Sequence, residues 1–184
     1  ILAADEFVNV DLDSIAAFAH CDRLDRLAGT PQQHLEARLH RAHLHQQRGE
    51  PHLAMPIEQA ALRDAVRLDD ARLLAQCHQM LGVACSTTNQ ATQALQHLQA
   101  CTPWLSAHGS DEQRSELQGN IAVLHDNLGR LDDALPHHEL AFALSHRSGN
   151  LSNASMACGN LACNRIDAGD LQAEQRQRGH PADA

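Results

Sequence analysis

The sequence predicts an all-α fold, an array of antiparallel helix pairs stacked as an α-solenoid, on three observations. Ala42, Gly82, Ala122 and Ala162 recur every 40 residues, and Gly49, Asn89, Gly129 and Gly169 follow each of them by seven. A third column of the same period holds Thr30, Asp70, Ser110 and Asn150, all residue types that cap helices. Self-similarity at a fixed period of this size marks a repeat architecture, in which each unit buries its apolar face against its neighbours. Such arrays offer extended surface, so the expectation is a binding protein rather than an enzyme.

Taken in order, residues 1–29 are expected to be a truncated repeat. Its second helix lies at 11–28, because the columns of later second helices extend back to Asn9, Ile15, Cys21 and Gly29. Ile1 then falls partway through a repeat, which predicts a piece of a longer protein. Repeat 1 covers 30–69, repeat 2 covers 70–109, repeat 3 covers 110–149, and a partial repeat 4 covers 150–178, with a polar tail at 179–184. In each repeat the capping residue starts a first helix, at 31–48, 71–88, 111–128 and 151–168. Thr30-Pro31-Gln32-Gln33 and Ser110-Asp111-Glu112-Gln113 both have the capping-box pattern, the former with Pro at the first helical position. The first helices are predicted to stop at Gly49, Asn89, Gly129 and Gly169, residue types that tolerate a left-handed C-terminal turn.

Second helices are predicted over 51–68, 91–108 and 131–148, since Ala54, Ala94 and Ala134, and then Ala61, Cys101 and Ala141, keep one face apolar at seven-residue steps. Asp69, Gly109 and Gly149 close them. Small residues at 42, 82, 122 and 162 let helices approach, with Leu81, Ile121 and Leu161 supplying bulk beside them. Arg41 and Asn164 break their apolar columns, predicting ends that are less buried or differently packed. Leu171 to Arg178 offers the start of a last helix.

Composition bounds function further. The formal charge of −9, with 14 Arg and no Lys, argues against a nucleic-acid partner, which needs clustered cations. No apolar run reaches the roughly 20 residues of a membrane span. Six cysteines show neither the C-x-x-C spacing of a zinc site nor the density of a small disulfide-stapled secreted chain, which fits a reducing cytoplasm. Abundant Ala, Leu, Arg and His without Lys or Tyr fits a bacterium with a GC-rich genome.

The small residue, the seven-residue step to Gly and the five-residue step to Ala, as in Ala42…Gly49…Ala54 and Ala122…Gly129…Ala134, resemble the tetratricopeptide repeat (TPR). Gly119-Asn120-Ile121-Ala122 through Ala134, and Gly159-Asn160-Leu161-Ala162 through Leu171, are its clearest statements, and the resemblance covers about residues 9–175. The 40-residue period resembles the family's long variants, found in bacterial regulators and peptide-binding scaffolds. The resemblance implies a right-handed superhelix. Its aromatics are mostly missing, with His45, Cys85 and His125 where Tyr is usual.

In the family the first helices line a concave surface. This implies an inner stripe of Glu36, His40, His43 and Gln47, then Gln76, Met80, Val83 and Thr87, then Glu116, Asn120, Val123 and Asn127, then Met156, Asn160, Cys163 and Asp167. Asn120 and Asn160 match an Asn that, in peptide-binding relatives, pairs with a ligand's backbone amide. The other reading is that both bond across neighbouring helices. The stripes carry no Arg, which predicts no clamp for a terminal carboxylate. Glu36, Glu116, Asp126 and Asp167 on or near the concavity predict a neutral or basic protein or peptide partner; a solvated acidic face is the plainer alternative.

Fourteen histidines raise a metal question. Glu36, His40 and His43, at steps of four and three on one helix face, form the best set, but a third or fourth ligand and supporting shell are not identifiable. Ordinary polar surface is the favoured reading, and no metal or cofactor is expected. Trp104 is assigned to packing. No phosphate loop, nucleophile elbow or His-Glu-x-x-His motif occurs. The functional expectation is a protein- or peptide-binding scaffold or regulatory module. The alternatives are a ligand-sensing input domain of a signalling or transcriptional regulator, or a structural module self-associating through its open ends.

Overall fold

The structure, a computed structural model, describes residues 2–179, with side chains from 15 to 166. Among the described residues there are eight helices and no strand. The chain divides into two compact units, residues 1–90 and 91–184, and the division falls inside the stretch that the period assigns to repeat 2.

Unit 1 holds α1 (Leu2–Leu27), α2 (Pro31–Gln47), α3 (Pro51–Leu68) and α4 (Ala71–Thr87). Consecutive helices pack on one another, and α2 also touches α4. Leu35 and Leu39 of α2, Ala61 and Ala65 of α3, and Leu73 and Cys77 of α4 form a buried cluster, with Leu62, Leu68, Leu74 and Met80 packed against it. Each fully buried Leu contributes roughly 1.5–3 kcal/mol of transfer free energy. Unit 2 holds α5 (Ala91–His108), α6 (Asp111–Asn127), α7 (Leu131–Ser148) and α8 (Leu151–Gly179), again with sequential neighbours packed and α6 touching α8. Its interior includes Leu117, Ile121, Ala122 and Leu124 of α6 with Ala134, Ala141 and Leu144 of α7.

The four capping residues all act as the sequence implies. Thr30 Oγ1 accepts from the Gln33 N–H, Asp70 Oδ1 from Leu73, Ser110 Oγ from Gln113, and Asn150 Oδ1 from Asn153, at 3.0–3.2 Å. Only Ser110 completes the reciprocal box, with the Gln113 side chain accepting its backbone N–H. At Thr30 the corresponding Gln33 side chain instead accepts from Gly29. Here the pattern is present but the second bond is displaced by one residue.

The turns between first and second helices are built alike. Gly49, Asn89 and Gly129 have φ of 70°, 59° and 70°. The next residue in each case donates back to the carbonyl five positions earlier: Glu50 to His45, Gln90 to Cys85 and Arg130 to His125, at 2.8–2.9 Å. These are left-handed C-terminal caps of the Schellman type. Asp69 and Gly149 close second helices with φ of 50° and 74°. Gly109 serves otherwise, because a Cβ there would stand 2.6 Å from the Leu105 carbonyl oxygen.

Three expectations need revision. Helix α1 runs from Leu2 rather than starting at 11, since residues 2–27 contain no Gly or Pro to break it. Helix α8 continues through Gly169 to Gly179 instead of stopping and restarting near Leu171. A lone Gly costs a helix only about 1 kcal/mol and needs a left-handed turn to end it. Ala162 is exposed, unlike Ala42, Gly82 and Ala122, so the fourth member of the small-residue column holds no partner helix close. The tail at 180–184 lies outside the described residues.

Candidate functional site

Helices of the first type come into direct contact within each unit, α2 with α4 and α6 with α8, whereas α1 and α3, and α5 and α7, do not meet among the described residues. The side of each stack formed by first helices is therefore the more tightly gathered one.

In unit 2, α6, α7 and α8 enclose an open cleft of about 310 Å³ lined by Ser115, Glu116, Asn120, Ala141, Asn153, Met156 and Ala157. Three of the expected groove residues, Glu116, Asn120 and Met156, thus meet at one place. Val123 and Asn127 are exposed farther along α6, and Asn160 is exposed on α8 outside the cleft. Neither Asn120 nor Asn160 hydrogen-bonds to a neighbouring helix among the described residues. Glu116 is exposed as a residue, but partial desolvation of its carboxyl in the cleft, and the like charge of Glu112, push that carboxyl above the ordinary range. Ser115 turns its hydroxyl away, donating to the Ala141 carbonyl at 2.8 Å.

In unit 1 the corresponding residues are more enclosed. Gln76, Met80 and Val83 are half-buried, Met80 against the core cluster, and Thr87 gives its hydroxyl to the Ala84 carbonyl. Gln47 is exposed and donates to His43 Nε2 at 3.0 Å. Glu36 and His40 line a separate cleft between α1 and α2 with Leu24, Leu27 and Gln33. No group of three or more His, Cys, Asp or Glu able to hold an ion occurs among the described residues. Glu36 is instead committed to Arg72 of α4.

That ion pair revises the acidic concavity. Glu36 is neutralised by Arg72, and Asp126 is occupied, accepting from His138 Nε2 at 2.6 Å and from Asn164 Nδ2 at 2.8 Å. Asp167 lies outside the described side chains. Of the three described acids of this set, Glu116 has no hydrogen-bond or ion-pair partner among the described residues.

Several polar groups that residue type would place on the surface are buried. Glu58 and His138 are fully buried, and Asn164, expected at a looser end, is 2% exposed. Gln46 Nε2 donates to Glu58 Oε1 at 2.7 Å and to the Met80 carbonyl at 2.9 Å. Burial lifts the Glu58 carboxyl to about 7, with the Gln46 hydrogen bond opposing the shift. His125 is also buried and stacks on the half-buried His137 with ring centroids 5.6 Å apart, so His125 and His138 are interior groups rather than polar surface. Burial lowers the His137 pKa, helped by His125 and His138. The available signal was columnar: Phe18, Glu58, Leu98 and His138 share one position of the repeat.

No protein-family model matches the chain, and no curated protein matches it. Solved structures do. The crystal structure of the TPR domain of Arabidopsis FLU is similar at TM-score 0.56 and 22% identity over 62% of this chain and 96% of that domain. BtubC (BKLC) from P. vanneervenii is similar at TM-score 0.66 and 17% identity, over 94% of this chain and 74% of its own. Identities this low speak to architecture alone: the chain has the fold of a TPR-like helical repeat.

Proposed function

We propose that the chain is a peptide- or protein-binding scaffold or regulatory module of the long, 40-residue TPR type, of bacterial origin. The observation that carries this reading is the row of exposed amides on first helices, Asn120, Asn127 and Asn160, whose side chains make no bonds within the fold among the described residues, beside exposed Val123 and Met156. A free side-chain amide can pair with both groups of a peptide unit, and exposed apolar neighbours add area without demanding one sequence. The six cysteines are all free, which suits a reducing compartment such as the cytoplasm. No helix among the described residues is long and apolar enough to cross a membrane.

The test is selection of binders from a random-sequence displayed peptide library on the intact chain, followed by titration calorimetry. The double substitution Asn120→Ala, Asn160→Ala should weaken selected peptides about tenfold or more, roughly one hydrogen bond's worth at each position. Unchanged affinity would refute backbone pairing by these residues.

A further inference from the structure

We propose that the cleft between α6 and α8 receives a cationic side chain, lysine or arginine, from the bound segment; this rests on the peptide-binding reading above. The argument comes from the molecule's own periodicity. Residues 80 apart are equivalent, so the unit 1 counterparts of Ser115, Glu116, Ala141, Ser152, Asn153 and Ala157 are Leu35, Glu36, Ala61, Arg72, Leu73 and Cys77.

In unit 1 that position is filled. Leu35, Ala61, Leu73 and Cys77 close into the buried core cluster, and the Arg72 guanidinium covers Glu36. In unit 2 the same place is open. Leu35 and Leu73 are replaced by the smaller Ser115 and Asn153, which leaves the cleft, and Arg72 is replaced by Ser152, which leaves Glu116 without its cation. Unit 1 thus shows which group complements this carboxylate, and unit 2 lacks it.

The remaining chemistry agrees. Glu116 makes no hydrogen bond or ion pair among the described residues, and it sits one turn after Glu112, whose Oε1 takes only the neutral Asn150 amide at 2.7 Å. Partial desolvation and Glu112 both disfavour its ionised form, a cost that an incoming cation would relieve. No lining residue is cationic. The nearby guanidiniums are engaged elsewhere, Arg114 and Arg147 with Asp111, and Arg165 with Glu139. Met156, Ala157 and Ala141 would lie along the methylene stem, and Asn120 and Asn153 beside the peptide backbone.

The experiment uses peptides selected on the intact chain. Replacing their Lys or Arg residues one at a time by norleucine should cost about fivefold in affinity at one position, the upper range for a partly exposed ion pair. Against Glu116→Gln that peptide should bind about fivefold more weakly and no longer discriminate lysine from norleucine. Ser152→Arg, which restores the internal cation of unit 1, should weaken it as well, with circular dichroism unchanged for both variants. Peptides that bind, and that lose affinity on Asn120→Ala, Asn160→Ala, yet are indifferent to norleucine and to Glu116→Gln, would overturn the cationic pocket alone. Failure to select any peptide would overturn the reading beneath it and the pocket together.

Discussion

Gln46 and Glu58 in unit 1 stand two periods before Asp126 and His138 in unit 2, and both pairs join a first helix to a second helix through a partly buried hydrogen bond. Their chemistry is opposite. In unit 1 the acid sits on the second helix with a neutral amide donor, and its Oε2 has no partner. In unit 2 the acid sits on the first helix, where it serves two donors, His138 Nε2 and Asn164 Nδ2, while Asn164 also reaches the Leu131 carbonyl. One crossing therefore carries a carboxyl that prefers its proton; the other carries an acceptor on which two elements depend. A repeat architecture conserves the place of a contact, not its electrostatics.

The largest effect is expected from removing the shared acceptor. Asp126→Ala strands His138 Nε2 and an Asn164 donor in the interior, and should destabilise unit 2 by about 3 kcal/mol, read from thermal or urea unfolding. A loss under 1 kcal/mol would mean that the two donors find other partners.

Unit 1 should respond in the other direction. Glu58→Leu places there the residue type found at Leu98 and removes an unsatisfied oxygen, so it should stabilise the chain by about 2 kcal/mol at pH 8. The gain should depend on pH. The Glu58 carboxyl titrates near 7 when folded, against 4.5 for an ordinary glutamate, so between those values the folded state keeps a proton that the unfolded chain has released. Stability from this group consequently falls as pH rises through that window, and is fully present only below about 4.5. Glu58→Gln should flatten that part of the stability profile, whereas an unchanged slope would place its origin elsewhere. Gln46→Ala should cost about 1 kcal/mol at pH 8, less than Asp126→Ala, because the Glu58 carboxyl it abandons can take up a proton.

The smallest contrast lies in the caps. Ser110→Ala breaks a box in which side chain and backbone exchange two bonds, and should cost about 1 kcal/mol. Thr30→Ala should cost about half as much, since its hydroxyl bond stands alone rather than within a reciprocal pair on one residue. Equal losses would show that reciprocity within the box adds nothing to the cap.

Much of the framework was legible because it is written in local chemistry. Thr30, Asp70, Ser110 and Asn150 cap whatever the neighbours do, and Gly49, Asn89 and Gly129 adopt the one conformation that ends these helices, so α2 to α7 fall within a residue of their expected spans. Gly169 carries the same signal, but residue type alone does not terminate a helix, and α8 runs through it. The candidate face was legible only in part. Glu116, Asn120 and Met156 converge, but nothing in the spacing of Glu36 announced that Arg72, 36 residues on, would claim it. Buried Glu58, His138 and Asn164 escaped notice for a related reason: residue type suggests surface, and only the tertiary crossing shows enclosure.

The succession of contacts has a kinetic consequence. Within each unit, consecutive helices pack on one another, and the longest-range contacts join helices two apart. Loops closed by such contacts are short, so little chain entropy opposes the first productive encounters, and any hairpin with its paired caps can serve as a seed. Refolding on the millisecond scale or faster is the expected behaviour of so local a topology.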